Sequence, residues 1–165
     1  MYKFGEKSKE QLITARVDLR RVVRRALTIT DVDFSVIEGV RSQEQQRINI
    51  EKGVSWTMNS KHLADASGMS RAVDLYPWVN EDTCHEDNSY RKLARAMFQA
   101  ASIEGVTLRW GGFWTSYVDS PHWEVVGGEE TMKKVLEDLR DKCFGIGGYL
   151  AQHNKDSTEI RRLSQ

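Results

Sequence analysis

The segment Arg71–Tyr76 reads RAVDLY and stops at Pro77. Apolar residues flank Asp74 in a short β-favouring run, and proline interrupts strand pairing, so the segment is predicted to be a core strand. An ionised carboxylate inside such a strand is costly unless it has a partner. Asp74 is therefore a candidate metal ligand. The alternative is a carboxylate that pairs with an arginine or faces solvent on an edge strand.

Two histidines could meet this aspartate. His62 follows Ser60 in the polar segment before the strand, and His122 begins a second apolar run, 122–126. Each histidine is weak evidence alone, because a lone histidine in a polar loop is most often a surface residue. Together, two imidazoles and one carboxylate match the ligands that zinc takes in hydrolytic sites, which keep a fourth position open for water.

The residues around His122 supply further candidates. Asp119 lies three residues upstream, and Pro121 stiffens the backbone between them, so the Asp119 carboxylate is a candidate general base beside the metal. The alternative is an ordinary turn aspartate, which the spacing alone favours. Glu124 alternates with Trp123 and so points to the face that His122 uses. It either orients an imidazole or is a charge at a strand edge.

Arg41 and His85 are candidates on chemistry alone. Arg41 ends a β-like run, where a guanidinium could stabilise an oxyanion or hold a substrate carboxylate. A salt bridge at the start of the following helix is the less attractive alternative, since the helix dipole disfavours cations there. His85 is a rival metal ligand, but its segment is hydrophilic and offers no second ligand at useful spacing. We interpret it as a surface residue.

The whole pattern predicts an α+β fold with a small antiparallel sheet flanked by helices. Ser8 with Gln11 and Ser42 with Gln45 have capping-box spacing, and Asn88 can cap a third helix. The predicted helices are 8–28, 43–52, 88–104 and 129–142. The predicted strands are 34–40, 71–76, 106–110 and 122–126, and 54–70 is a long loop.

Composition excludes several classes of function. The 24 basic and 24 acidic side chains balance, so there is no electrostatic footprint for nucleic acid or an anionic membrane. Cys84 and Cys143 form no CxxC pair and are predicted to be free thiols. The N-terminus lacks a secretory signal, and no apolar stretch is long enough to span a membrane. We expect a soluble protein that does not export itself.

These residues resemble a known family. The motifs Ser60-Lys61-His62, Arg71–Leu75 and Asp119–Glu124 resemble those of the VanX/VanY-like zinc peptidases of bacterial cell walls. The segments Gly39–Ser42 and Arg109–Gly112 resemble that family's Gly-Tyr-Arg-Ser segment and Trp-Gly-Gly turn. Over residues 2–126 the resemblance is nearest to phage endolysins that act as L-alanyl-D-glutamate peptidases.

The resemblance implies a Hedgehog/D,D-peptidase-like fold with the zinc site at the sheet. It implies a catalytic domain at 1–126. The tail 127–165 extends past the resemblance, and because it is charge-balanced and at first amphipathic, we expect a helical extension that packs on the same domain. A wall-targeting or oligomerising element is the alternative.

The resemblance also implies that one zinc ion is bound by His62, Asp74 and His122, that Asp119 is the general base, and that Arg41 contacts substrate or stabilises the transition state. Further residues expected to bind substrate or support the ligands are Ser60, Glu124 and Trp110.

Two departures from the family pattern bear on these roles. Twelve positions separate His62 from Asp74, a longer gap than is usual in the family. The extra segment, 65–69, begins with Asp65, which is therefore a rival ligand, although Asp74 keeps the family's Ala-Val-Asp context. Phe113 stands where an aspartate often follows the Trp-Gly-Gly turn, and this difference bears on substrate preference more than on metal binding.

The expected function is that of a phage-type endolysin, a zinc metallopeptidase that hydrolyses the L-Ala–D-Glu bond of the peptidoglycan stem peptide. The alternatives are a D,D-carboxypeptidase or dipeptidase that acts on D-Ala termini, and a non-catalytic, zinc-stabilised cell-wall binding module. We expect peptidoglycan as the partner, with no nucleic acid and no membrane insertion, and a monomeric state. The family implies host lysis by an enzyme that stays in the host cytoplasm until a pore made by another protein releases it to the cell wall.

Overall fold

The computed structural model describes residues 1–78 and 86–127. Within these ranges, helices alternate with the strands of one small sheet. In chain order the elements are α1 (Glu6–Ile13), α2 (Val17–Ile29), β1 (Phe34–Glu38), α3 (Gln43–Glu51), β2 (Ala72–Pro77), α4 (Glu86–Glu104), β3 (Leu108–Trp110), a 3-10 turn (Gly111–Phe113) and β4 (His122–Val125).

The sheet has the order β1-β2-β4-β3, and every neighbouring pair is antiparallel. Strand β2 is therefore central, as the RAVDLY pattern predicts. Its register places Asp74 opposite His122 and Ala72 opposite Glu124. The predicted α+β class, with a small antiparallel sheet flanked by helices, is confirmed.

The core forms where α2 and α4 pack together and against the sheet. Both helices place apolar residues at helical spacing on their inner face, as an amphipathic helix does. Each fully buried aliphatic side chain contributes roughly 1.5–3 kcal/mol to folding. The most deeply buried members are Leu19, Val22, Val23 and Ala26 of α2, Leu93, Met97 and Ala100 of α4, and Val73, Leu75 and Trp123 of the sheet.

The predicted single helix 8–28 is wrong, because the helix is interrupted between α1 and α2. The Ser70 amide donates to the Thr14 carbonyl, and the Arg16 amide donates to the Ser70 carbonyl, so residues 14–16 pair with a distant segment instead of continuing the helix. The Ser8 hydroxyl does not cap α1, which begins at Glu6. It accepts a hydrogen bond from the Val36 amide of β1.

The other predicted elements within the described residues are present, with ends shifted by one or two residues; β1 ends at Glu38 and β3 begins at Leu108. The Ser42 hydroxyl accepts from the Gln45 amide and caps α3 as predicted. Asn88 is not the cap of α4, because that helix begins at Glu86. The predicted helix 129–142, the extension 127–165 beyond Gly127, Cys84, Cys143 and His85 lie outside the described residues. No helix in the described part of the chain is long and apolar enough to cross a membrane.

Gly39 joins α1 to the candidate site. Its amide donates to the Gln11 side chain, and a Cβ at this position would overlap the Thr14 hydroxyl and the Gln11 carbonyl. Its carbonyl oxygen accepts a 2.8 Å hydrogen bond from His62 Nδ1. A side chain at position 39 would therefore disturb both the packing of α1 and the orientation of His62.

We expect Gly39→Ala to lower the free energy of unfolding by about 1–3 kcal/mol, because the new methyl group meets backbone that cannot move freely. Urea denaturation monitored by circular dichroism measures this change. Gly5→Ala is the matched control. A Cβ there meets no atom within 4 Å, and the loss of at most about 1 kcal/mol reflects only a weaker helix cap. Equal losses at the two positions would contradict the packing argument.

Candidate metal centre and active-site cleft

Three side chains converge where β2 and β4 pair. His62 Nε2 lies 3.1 Å from Asp74 Oδ1 and 3.1 Å from His122 Nδ1, and the last two atoms are 3.4 Å apart. The strand register alone brings Asp74 and His122 together, whereas His62 reaches them from the loop before β2. In the described part of the chain this is the group of side chains that could hold a metal ion.

His62 is fixed in one tautomer by its surroundings. Its Nδ1 faces the Gly39 carbonyl, which can only accept, so Nδ1 carries the hydrogen and the lone pair of Nε2 points to the centre of the cluster. The backbone is held as well. The His62 amide donates to the Ser60 hydroxyl, and the His62 carbonyl accepts from the Arg41 amide. Ser60 thus supports the turn that carries this histidine.

His122 faces the cluster through the other ring nitrogen. Its Nε2 lies 3.4 Å from the carboxylate of Glu124, and its Nδ1 faces His62 and Asp74. Glu124 is itself buried and lies 3.4 Å from Arg109 Nη1. The prediction that Glu124 shares a face with His122 is confirmed, and the contact is of the kind that orients a metal-binding imidazole.

The pKa values of these groups show how strongly the cluster favours positive charge. Burial opposes ionisation of Asp74, but the neighbouring imidazoles, His122 above all, outweigh it and hold the Asp74 pKa well below its usual range. Burial likewise opposes protonation of His122, yet bonds to Asp74 and Glu124 raise its pKa to about 9. A metal cation bound among these atoms would be stabilised by the same negative charges, those of Asp74 and Glu124. Two nitrogens and one carboxylate oxygen, with no thiolate, suit a divalent ion of the zinc type.

Asp119 is held beside the cluster by its own backbone. Its carbonyl accepts from the His122 amide, and its amide donates to the Gly111 carbonyl. A Cβ at Gly111 would overlap the Asp119 carbonyl, which explains a glycine in the Trp-Gly-Gly turn. Burial raises the pKa of the Asp119 carboxyl, and the negative charge of Asp74 adds to the rise, while His122, His62 and Arg41 oppose it. A carboxylate of raised pKa is a stronger base.

Arg41 lines the same cleft, and its guanidinium group is fixed by hydrogen bonds to two neighbouring side chains. Its Nε and Nη2 donate to the two carboxylate oxygens of Glu38, and its Nη1 donates to Gln46 Oε1 at 2.7 Å. The bond to Glu38 raises the pKa of Arg41, so the group stays charged. Arg41 does form a salt bridge, but with the strand residue Glu38 instead of with a group at the helix N-terminus.

Gln46 is a structural residue of the site that the sequence did not reveal. It is fully buried on α3, and its Nε2 donates to the Ser55 hydroxyl at 2.8 Å and to the Thr57 carbonyl at 2.6 Å. It therefore links Arg41 to the loop after α3. No local signal separates it from the neighbouring glutamines, because its partners lie in the loops on either side of α3 and its helix has few apolar residues.

Three residues named from the sequence lie away from the cleft. Trp110 is buried, stacks on Trp123 at 5.4 Å and donates to the Ser120 carbonyl, so it supports the segment that carries Asp119. Phe113 packs on Phe98 and Trp110 in the core. The Asp65 carboxylate bonds to Ser67 and lies near Arg16, outside the ligand group. His85 lies outside the described residues.

The cluster opens into a cleft of about 790 Å³. Its walls carry aromatic residues that the sequence analysis did not single out. Trp114 lies with its ring 5.2 Å from the His122 ring, and the Arg109 guanidinium lies 4.8 Å over Trp114. The lining also includes Trp56, Tyr117, Asn49, Ser55, Thr57, Asn59, Ser60, Lys61, Thr115, Ser116, Arg41, Asp119 and Glu124.

The model of the phage L-alanyl-D-glutamate peptidase family matches residues 1–128. The chain belongs to this family. It is 32% identical over 122 residues to the L-alanyl-D-glutamate peptidase of Escherichia phage T5, covering 72% of this chain and 85% of the relative. It is 30% identical over 91 residues to the L-alanyl-D-glutamate peptidase of Listeria phage A118, covering 55% of this chain and 30% of that relative.

A solved structure that is similar to this chain supports the fold assignment. The crystal structure of the Serratia marcescens L-Ala D-Glu endopeptidase ChiX superposes with a TM-score of 0.66 at 34% identity, covering 75% of this chain and 90% of that one. The family resemblance drawn from the motifs of this chain is thereby confirmed. The family match over residues 1–128 includes His62, Asp74 and His122.

If these three residues hold the ion, His62→Ala, Asp74→Ala and His122→Ala should each lower zinc affinity by more than about 100-fold, since loss of a supporting contact alone costs about 10–100-fold. Competition with a chromophoric chelator measures the affinity. Asp65→Asn is the control, because its carboxylate bonds only to nearby loop and arginine groups, and it should bind zinc like the wild type. A larger loss in Asp65→Asn than in Asp74→Ala would exchange their roles.

Proposed function

We propose that this protein is a zinc-dependent peptidoglycan peptidase that hydrolyses the L-Ala–D-Glu bond of the stem peptide. The observation that carries the proposal is the buried cluster of His62, Asp74 and His122, which opens into a cleft that also holds Asp119 and Arg41. Membership of the L-alanyl-D-glutamate peptidase family supports the choice of bond. The partner is accordingly peptidoglycan.

Zinc is the proposed ion, with His62 Nε2, Asp74 Oδ1 and His122 Nδ1 as its ligands. The fit rests on two nitrogens and one oxygen within 4.8 Å of one another, each histidine having its other nitrogen tied to a fixed acceptor. When bound, zinc supplies Lewis-acid polarisation of a carbonyl group and of water in a site that has three protein ligands.

Asp119 is the proposed general base. It takes a proton from the attacking water and later returns it to the leaving amine, so one carboxylate serves both halves of the reaction. Its position does not depend on a flexible side chain alone, because its backbone bonds to His122 and Gly111 fix the segment. Burial raises its pKa and so strengthens it as a base, while the positive charge of His122, His62 and Arg41 opposes the rise.

Arg41 is the proposed electrophilic partner. The bonds to Glu38 and Gln46 use one N–H on each guanidinium nitrogen, and a second N–H on each terminal nitrogen is available to a substrate oxygen. A fixed guanidinium in the cleft can donate to the oxyanion that forms when water attacks the amide, or to a carboxylate of the substrate. Because it is held in advance, no reorganisation is needed when charge develops.

The expectations of a monomer, and of an enzyme kept in the host cytoplasm until lysis, stay predictions here. They belong to the proposal that the protein is a phage-type endolysin. The family match is their support. Size-exclusion chromatography with light scattering tests the first, and fractionation of infected cells before and after lysis tests the second.

The proposed bond is tested by digesting purified peptidoglycan with the metal-loaded protein, with and without a chelator, and identifying the fragments by mass spectrometry. We expect chelator-sensitive loss of turbidity and new fragments that begin with D-Glu. Release of D-Ala without loss of turbidity would replace the proposal with a carboxypeptidase. A folded, zinc-loaded protein that releases nothing would contradict enzymatic activity altogether.

We predict that Asp119→Asn keeps its zinc but loses about 10²–10⁴-fold in kcat, because an amide cannot accept the proton. Initial rates on a defined stem peptide, with metal content measured on the same sample, check this. Asp65→Asn, a carboxylate outside the ligand group, should keep the wild-type kcat. Near wild-type turnover in a metal-loaded Asp119→Asn sample would remove Asp119 from the mechanism.

A further inference from the structure

Two aromatic side chains meet over the cleft although they are largely exposed. Trp56 is 66% exposed and Tyr117 is 51% exposed, yet their ring centroids are 4.9 Å apart in an edge-to-face contact. They come from separate segments, the loop after α3 and the loop before β4. Both line the same cleft as the metal cluster. Large apolar rings held together in water at a binding cleft indicate a surface that contacts a ligand.

The residues next to these rings share one chemistry. Apart from Val54, the lining residues next to Trp56 and Tyr117 along the two loops are uncharged hydroxyl and amide side chains, whereas most charged residues of the lining lie on or beside the strands. The neutral lining residues are Asn49, Ser55, Thr57, Asn59, Ser60, Thr115 and Ser116. Aromatic faces combined with neutral donors and acceptors suit an uncharged ligand that has both C–H surfaces and hydroxyl or amide groups.

We propose that Trp56 and Tyr117 form a subsite for a sugar ring of the glycan strand. This inference rests on the proposed function. In peptidoglycan the L-Ala residue is joined to a muramic acid lactyl group, so a sugar lies one residue from the L-Ala–D-Glu bond. Its C–H face can pack on an indole ring, and its hydroxyl and acetamido groups can bond to the neutral side chains. Lys61, the charged neighbour of this loop, disfavours a cationic ligand.

The loop that carries Trp56 is held in place before substrate arrives. The buried Gln46 amide donates to Ser55 and to Thr57, the residues on either side of Trp56. The same Gln46 side chain accepts from Arg41. The tryptophan loop and the proposed oxyanion donor therefore share one anchor, and a preformed loop loses less entropy on binding.

The loop that carries Tyr117 is held in a similar way. The Gly111 carbonyl accepts from the Trp114 amide at 3.1 Å and from the Asp119 amide at 3.0 Å. The residues that flank the loop 115–118 are therefore both hydrogen-bonded to the same oxygen atom. These two bonds fix the ends of the loop next to Asp119. Both halves of the aromatic pair are therefore tied to residues that the proposed reaction uses.

The test compares two soluble substrates that contain the same stem peptide. In one, the L-Ala is joined through the lactyl group to a disaccharide; the other contains no sugar. For Trp56→Ala and Tyr117→Ala, we expect the ratio of kcat/KM on the sugar-bearing substrate to that on the sugar-free peptide to fall about tenfold. Tyr117→Phe keeps the ring and should retain the wild-type ratio. Trp78→Ala is the matched control, since Trp78 is 64% exposed but lies outside this cleft.

A second measurement does not need turnover. In the Asp119→Asn background, isothermal titration with the sugar-bearing substrate should show about tenfold weaker binding when Trp56 is replaced by alanine. Equal losses on both substrates, or an unchanged ratio together with unchanged binding, would overturn the sugar subsite. If the wild type cleaves neither substrate, the proposed function fails, and the binding measurement still decides whether the aromatic pair holds sugar.

Discussion

The burial of one carboxylate in the central strand is the constraint on which the site depends. Asp74 cannot stay ionised there without positive or hydrogen-bonding partners. The antiparallel register supplies His122 from the neighbouring strand, and the loop before β2 supplies His62. Both imidazoles need a fixed acceptor on their far side, and they find it in the Gly39 carbonyl and in Glu124. The order of the strands, the path of the loop before β2 and the packing of α1 against Gly39 therefore all serve to place the partners of this carboxylate.

The catalytic candidates are supported from the core instead of from the surface. Trp110 stacks on Trp123 and bonds to the Ser120 carbonyl, so the segment carrying Asp119 rests on the most deeply buried part of the sheet. Arg41 rests on Glu38 and on the fully buried Gln46. Groups held in this way are placed before substrate binds, which is the condition under which electrostatic stabilisation of a transition state is effective.

Local patterns predicted the parts of the molecule that local chemistry determines. An aspartate between apolar residues marked the central strand, and Ser42 with Gln45 marked a helix start. What the patterns missed depends on contacts between distant segments. Helix 8–28 is broken because residues 14–16 pair with Ser70, Gln46 is buried because its partners lie in another loop, and Trp56 meets Tyr117 only in the folded chain. Trp110, expected either to bind substrate or to support the ligands, lies in the core, where Trp123 is opposite it in the sheet.

The Trp114 and Asp119 amides both donate to the Gly111 carbonyl, so residues 115–118 form a loop whose two ends are fixed. The entropic cost of closing a loop grows slowly with its length. Insertions or substitutions in this loop can therefore change the shape of the cleft rim while the backbone at Asp119 keeps its position. Such a design separates what the enzyme recognises from what it does. In the proposed endolysin, a few loop residues can therefore change which cell wall is recognised, while the His62, Asp74 and His122 cluster stays the same.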